Sequence, residues 1–173
     1  QRGPLPHLRG LRVERRDQAL IIDAATRRNL ELTDSLSGQP RHTLAGVLDR
    51  TATPMGSRML RRWISRPLRD LDHVRARHAA VAELLEQGLA EPLQEELRGV
   101  GDMERILARV ALKSARPRDL AGLREALARL PAIQAILAPL AGPLPDRLKQ
   151  RIGEHPETFE LLQRAVIENP PML

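Results

Sequence analysis

Apolar residues recur at three- and four-residue steps along most of this chain, and that spacing predicts helices. The densest segment runs from Thr53 to Asp70, TPMGSRMLRRWISRPLRD. Met59, Leu60, Trp63 and Ile64 make one apolar helix face, and Arg58, Arg61, Arg62 and Arg66 cover the other side. The Thr53 hydroxyl is a helix cap and Pro54 a first helical residue, where its missing N–H costs nothing. Pro67 stops the helix because it lacks a donor and restricts Arg66 to extended conformations. Gly56 has two readings, a close approach by another backbone or a neutral replacement. Before this segment, Thr43 starts a short helix with Leu44, Val47 and Leu48 on one face. After it, Asp70 caps a helix whose stripe is Leu71, Val74, His78, Val81 and Leu85, and Gly88 ends it. Glu91-Pro92 opens another with Leu93 and Leu97 inward. Gly101-Asp102 breaks that one and caps the next, which groups Met103, Ile106, Leu107 and Val110.

A second dense segment is KSARPRDLAGLREAL, residues 113–127. Pro117 reads as a first helical residue, and Asp119 lies in the first turn, where the helix dipole favours a carboxylate. Leu120, Leu123, Leu127 and Leu130 form a stripe, and Pro131 opens a continuation with Ile133, Ile136 and Leu137. Residues 138–146, APLAGPLPD, read as a proline-rich loop. A short helix then carries Leu148 and Ile152, and Pro156 begins a last one with Phe159, Leu162 and Val166 inward.

The start of the chain is different. Residues 1–10 hold two prolines and two glycines and read as a linker. LRV (11–13) and ALIID (19–23) flank a polar run and predict a small β-hairpin or two short strands. In residues 23–33, DAATRRNLELT, Asp23 or Thr26 can cap a short turn, and both helix and strand fit Leu30–Leu32. Residues 34–42 are a loop by composition. The expected fold is therefore mainly α: a multi-helix orthogonal or bundle-like core domain, with a small β element at the N-terminus. The expected organisation is a linker and short β segment over 1–23 and a helical domain over 24–173.

Composition sharpens this. The 173 residues are 42% apolar, yet Trp63 and Phe159 are the only aromatics, so the core must be aliphatic, which suits packed helices better than a sheet. Trp63 is expected to be buried, with Trp63→Ala costing about 3–5 kcal/mol; the alternative is a half-exposed indole at an interface with another domain. Cysteine is absent, so there is no disulfide framework and no thiolate metal site. No run of 18 apolar residues exists, and the N-terminus has no apolar leader core, which predicts no membrane association and a cytoplasmic protein.

The net charge is +6, but 26 of the 28 basic residues are arginine, a bias that coding composition can produce. Its location is more telling. Residues 51–77 hold seven arginines against two acidic groups, while residues 78–173 are slightly acidic. The basic run is a solvated face, a phosphate contact or a dock for an acidic partner.

No phosphate-cradling glycine loop is present, and His73 and His78 are too far apart on a helix to share a metal. His78 on an apolar stripe reads as a partly buried structural histidine. Asp102 and Glu104 read as a cap and a first-turn acid. With two aromatics there is no base-stacking platform. The chain does not read as an enzyme.

The two dense segments and their neighbours resemble the MutS family of DNA mismatch-repair proteins. DAATRRNLELT (23–33), TLAGVLDRTATPMGSRMLRRWISRPLRD (43–70), GDMERILARVALKSARPRDLAGLREAL (101–127) and ENPPML (168–173) match in the same order, over nearly the whole chain from Leu11 onward. The bacterial branch is the most similar. The resemblance implies a core and lever piece that links a connector domain to a DNA clamp and relays nucleotide state to the grip on mismatched duplex DNA. In the family the mismatch-reading wedge and the P-loop ATPase lie elsewhere, and the full-length protein is a homodimeric, nucleoid-associated ATPase that uses ATP and Mg. No catalytic, cofactor or metal residue carries over to this chain. Pro54, Gly56, Arg58, Trp63, Pro67, Arg116, Pro117 and Asp119 are expected as structural or relay positions. The abrupt ending at Asn169-Pro170-Pro171 reads as the start of a connection into more protein. The rival readings are a stand-alone basic helical module that binds nucleic acid non-specifically, and an enzyme with an unrecognised site.

Overall fold

Short polar caps decide where the helices start. The computed structural model describes residues 19–171. Asp23 accepts from the Thr26 amide (2.9 Å) and hydroxyl (2.6 Å) and starts α1, Ala24–Asn29. Thr43, fully buried, caps α2, Leu44–Leu48: its hydroxyl donates to the Pro40 carbonyl (2.7 Å) and accepts from the Gly46 amide (2.9 Å). Gly46 is required, because a Cβ there would collide with the Pro40 carbonyl. The remaining helices are α3 (Pro54–Ser65), α4 (Leu71–Glu86), α5 (Ala90–Arg98), α6 (Met103–Ala111), α7 (Pro117–Leu137), α8 (Pro143–Arg151) and α9 (Pro156–Ala165). The Asp70 carboxylate takes the amides of Asp72 and His73 at the start of α4. Gly88, at φ +67°, ends that helix in a Schellman motif: Leu89 N–H bonds Leu84 and Gly88 N–H bonds Leu85.

The fold is mainly helical, as expected, but the β element needs correcting. Among the described residues there is no strand. Segment 19–23 makes a single antiparallel bridge between Ala19 and Leu68, fixed by Leu20 N–H to the Pro67 carbonyl (2.8 Å). Leu20 and Ile21 are exposed, so the segment has no apolar cover from which to build a ladder. Its proposed partner, Leu11–Val13, lies outside the described residues. Leu30–Leu32 is a turn after α1, with Glu31 at φ +46° and Leu32 buried.

The described residues divide into two compact units that meet in sequence at Ala79 and Ala80. In the first, α2 packs on α3. In the second, α7 is the hub and packs against α5, α6, α8 and α9. Its core joins Ile106 of α6, Ala121, Leu123 and Leu127 of α7, and Leu162 and Val166 at the end of α9, with Met103, Leu120, Leu130 and Phe159 packed around them. The α7 stripe and the Phe159–Leu162–Val166 face therefore lie where periodicity placed them.

The continuation expected at Pro131 is present: Pro131 lies inside one continuous 21-residue α7, which its packed neighbours Leu127, Ile133 and Leu137 hold together across the missing hydrogen bond. Three other expectations do not hold. On α4, Leu71, Val81 and Leu85 are exposed, His78 is exposed rather than partly buried, and the buried residue is Ala80. On α6 only Ile106 is buried, while Leu107 and Val110 face out. In each case the stripe is real, but no described element covers it. Residues 143–146, read as loop, form the first turn of α8, with Pro143 at an N-terminal position that suits it. Among the described residues no helix is long and apolar enough to cross a membrane.

Candidate functional site

The α3 segment is set up by its own preceding loop. Thr53 accepts from the Gly56 amide at 3.0 Å, and Pro54 occupies the first turn. The Asp49 carboxylate takes the Thr51 amide (3.2 Å), the Thr51 hydroxyl (2.6 Å) and the Ser57 hydroxyl (2.5 Å), stitching residues 49–51 to the first turn of α3. These bonds, the Ser57 one foremost, hold the Asp49 carboxyl below the usual carboxylate range, and Arg61 adds to the effect. What approaches Gly56 is this same loop. A Cβ there would sit 3.2 Å from Thr51 Cβ and Thr53 Oγ1, tighter than ordinary packing. Arg66 ends the helix just before Pro67. Arg58 and Arg61 are half-buried, and Arg62 and Arg66 exposed.

Trp63 is not buried. Its side chain is 42% exposed, and Met59, one turn earlier, is 54% exposed. The Arg77 guanidinium lies 3.7 Å from the indole centroid, within cation–π range. The expected apolar face exists, but an arginine, not a core, covers one side of it. A long side chain with an aliphatic stem can shield an indole this way while its charge stays hydrated.

The second constellation lies at the start of α7. Arg116 precedes it and Pro117 is its first residue. The Asp119 carboxylate reaches back to the Arg116 amide (2.9 Å), which is the N3 half of a capping box, and accepts from Arg109 of α6 at 2.5 Å. The Arg116 bond is the main reason the Asp119 carboxyl lies below its usual range. Burial opposes the shift, and Arg109 reinforces it. Asp119 thereby locks the α6–α7 joint, in which Lys113 takes a left-handed conformation.

Two further arginines, which the sequence reading did not single out, bind the segment leaving α9. Arg124 donates from Nη1 to the carbonyls of Val166 (2.7 Å) and Ile167 (3.4 Å), and from Nη2 to Glu168 (3.3 Å). Arg118 Nε donates to the Pro170 carbonyl at 3.1 Å. These carbonyls lie at and beyond the extended C-cap of α9, where the helix's own bonds no longer reach, so a guanidinium fork with several donors is a natural partner for them. A polar signal was available, since Arg124 sits one turn after Leu120, at a position the apolar stripe should own. Beside Arg118 lies an open cavity of about 370 Å³ bordered by Gly122, Glu125 and Asn169. Arg124→Met is expected to speed amide exchange at Val166, whose N–H bonds Leu162, by on the order of tenfold, with helix content unchanged. Unchanged protection by exchange mass spectrometry would show that the carbonyl bonds do not hold the segment.

These two constellations lie in different units, and each consists of structural bonds that fix helix joints. Among the described residues no group of three or more His, Asp or Glu could hold a metal. Taken together, caps, a helical hub and arginine-held joints define a helical scaffold. Comparison with known families agrees: the model for MutS domain III matches residues 25–173, and the chain belongs to that family. It is a core domain of the MutS mismatch-repair type.

Proposed function

We propose that this chain serves as the core scaffold and lever of a MutS-like mismatch-repair protein, linking connector to clamp and relaying nucleotide state to the grip on mismatched DNA. The match to MutS domain III over residues 25–173 carries this reading. The single hub helix α7, joined to α6 through Asp119 and to the α9 exit through Arg124, gives it a physical basis: rigid joints on one long helix transmit displacement rather than absorb it. In this reading residues 24–173 form the core domain and residues 1–23 the junction to the connector. Pro54, Gly56, Arg58, Trp63, Pro67, Arg116, Pro117 and Asp119 are structural positions, not reactive ones. ATP and Mg act in another domain of the full-length protein, a cytoplasmic homodimer, and this segment itself hydrolyses nothing.

The segment alone should therefore position and couple without reading mismatches. Its arginines should give duplex DNA only weak, salt-sensitive, mismatch-indifferent binding, with Kd on the order of 10⁻⁴–10⁻⁶ M at physiological salt. Discrimination needs groove contacts or an inserted wedge. The test is a titration of matched and G·T-mismatched duplexes at two salt concentrations, with an ATPase assay alongside. Tight binding that prefers the mismatch would favour a stand-alone DNA-binding module, and turnover above background would favour an enzyme.

A further inference from the structure

We propose that α4 is a cooperative link between the two units, a helix that stands only while both of its ends are held. Leu71–Glu86 is one unbroken helix of 16 residues, yet the units meet inside it, at Ala79 and Ala80. Residues 71–79 belong to the first unit and residues 80–86 to the second. The helix is sparsely packed. Ala80 is its one buried residue, and none of the extended helix–helix packings among the described residues includes it.

Its holds are side-chain tethers, and each half has its own. In the first unit, the Asp70 carboxylate takes the amides of Asp72 (3.0 Å) and His73 (3.1 Å), and the Arg77 guanidinium lies 3.7 Å from the Trp63 indole centroid. In the second, the Glu83 carboxylate accepts from the Ala141 amide at 2.9 Å, in the turn between α7 and α8, next to the buried Leu140. Helix length makes these tethers interdependent. Starting a helix fixes several residues for one hydrogen bond, so isolated helices shorter than about 12–15 residues are marginal in water even when rich in alanine. The nine residues before the boundary and the seven after it each fall below that length, and the 16 together only just exceed it. The amides of residues 80–83 also bond the carbonyls of residues 76–79, so the halves share the turns at the boundary. A half that loses its tether therefore frays into the other, and loosening at Glu83 is felt at Arg77 and Trp63. This inference does not rest on the relay reading, which concerns α7 and the joints around it.

The test is amide exchange by mass spectrometry on the full chain, with acrylamide quenching of Trp63, the only tryptophan, as a second readout. Glu83→Ala keeps a good helix former and removes the acceptor for Ala141. It should speed exchange over residues 72–79, in the other unit, on the order of fivefold, and raise the quenching of Trp63. Glu83→Gln, which keeps an acceptor oxygen, should restore most of both. Arg124→Met, which loosens the second unit at the α9 exit, should leave residues 72–79 and Trp63 as they are. If Glu83→Ala does not fold, Ala79→Gly gives the same readout, because this exposed position touches neither tether: exchange should rise on both sides of it. The proposal is overturned if faster exchange stays within residues 80–86 for Glu83→Ala, or within the turn around Ala79 for Ala79→Gly. It is equally overturned if neither variant changes exchange in α4, or if Arg124→Met loosens residues 72–79 as much as Glu83→Ala does, which would mean a general loss of stability.

Discussion

Leu127→Ala should cost about 2–5 kcal/mol of unfolding free energy, as truncation of a buried leucine in a packed core does. Leu127 is 5% exposed and sits in the α6–α7–α9 core with Ile106, Leu123 and Leu162. Truncation removes its transfer energy and leaves a cavity on the hub helix, where the rigid neighbours of a continuous 21-residue helix relax poorly. Trp63→Ala, the larger chemical change, should cost less, roughly 1–2 kcal/mol, because only part of the indole leaves water and the Arg77 stack adds a modest cation–π term. Urea denaturation followed by far-UV circular dichroism measures both. The ranking is what matters: a Trp63→Ala loss equal to or above that of Leu127→Ala would mean that the indole is buried in solution after all.

That ranking inverts what periodicity alone suggests, and the reason is physical. Caps and breakers are local chemistry, so Asp23, Thr43, Thr53, Pro54, Asp70, Asp102 and Pro117 could be read from neighbours two or three residues away, and each stands at a helix start. The stripes were legible too, but a stripe states only that a helix has an apolar face, not which element covers it. On α7 and α9 the faces meet each other. On α3 at Met59 and Trp63, on α4 at Leu71, Val81 and Leu85, and on α6 at Leu107 and Val110, they stay exposed. The helix continues through Pro131 because a proline's local penalty, about 3 kcal/mol in an isolated helix, is outweighed when both flanking turns are packed. Arg124 escaped notice because its partners are backbone carbonyls about forty residues further on, and no side-chain pattern encodes that proximity. Half of the candidate site, Asp119 with Arg116 and Pro117, was visible. Its partner Arg109 was not, since the pairing depends on the turn that folds α6 back against α7.

Asp119 offers the sharpest check on that joint. Asp119→Asn keeps the side chain's shape but removes its charge. One amide oxygen cannot serve both the Arg116 amide and the Arg109 guanidinium, and the amide's N–H₂ group faces a second donor. The loss of an N-terminal capping acceptor is worth roughly 0.5–2 kcal/mol. The ion pair adds little to that, because Arg109 is about half exposed (51%) and screened, although Asp119 itself is only 13% exposed. A total near 2 kcal/mol at neutral pH is therefore expected, of the order given for hydrogen bonds to charged groups. The pH dependence follows from the sign of the shift. The folded carboxyl lies below its unfolded value, so its contribution is fully present above the usual carboxylate range and is lost as the pH falls through that range toward the folded pKa. Asp23, Asp49 and Asp70 are shifted in the same direction, but they are common to parent and variant and cancel in the difference. The measurement is the difference in unfolding free energy between the parent and Asp119→Asn, followed from about pH 7 to about pH 2 in low and high salt. The difference should shrink steadily on the acid side and should largely survive high salt, because the cap bond to the Arg116 amide dominates. A difference that stays constant with pH would show that the carboxylate charge does not hold the joint, and one that vanishes in high salt would transfer the effect to the Arg109 pair.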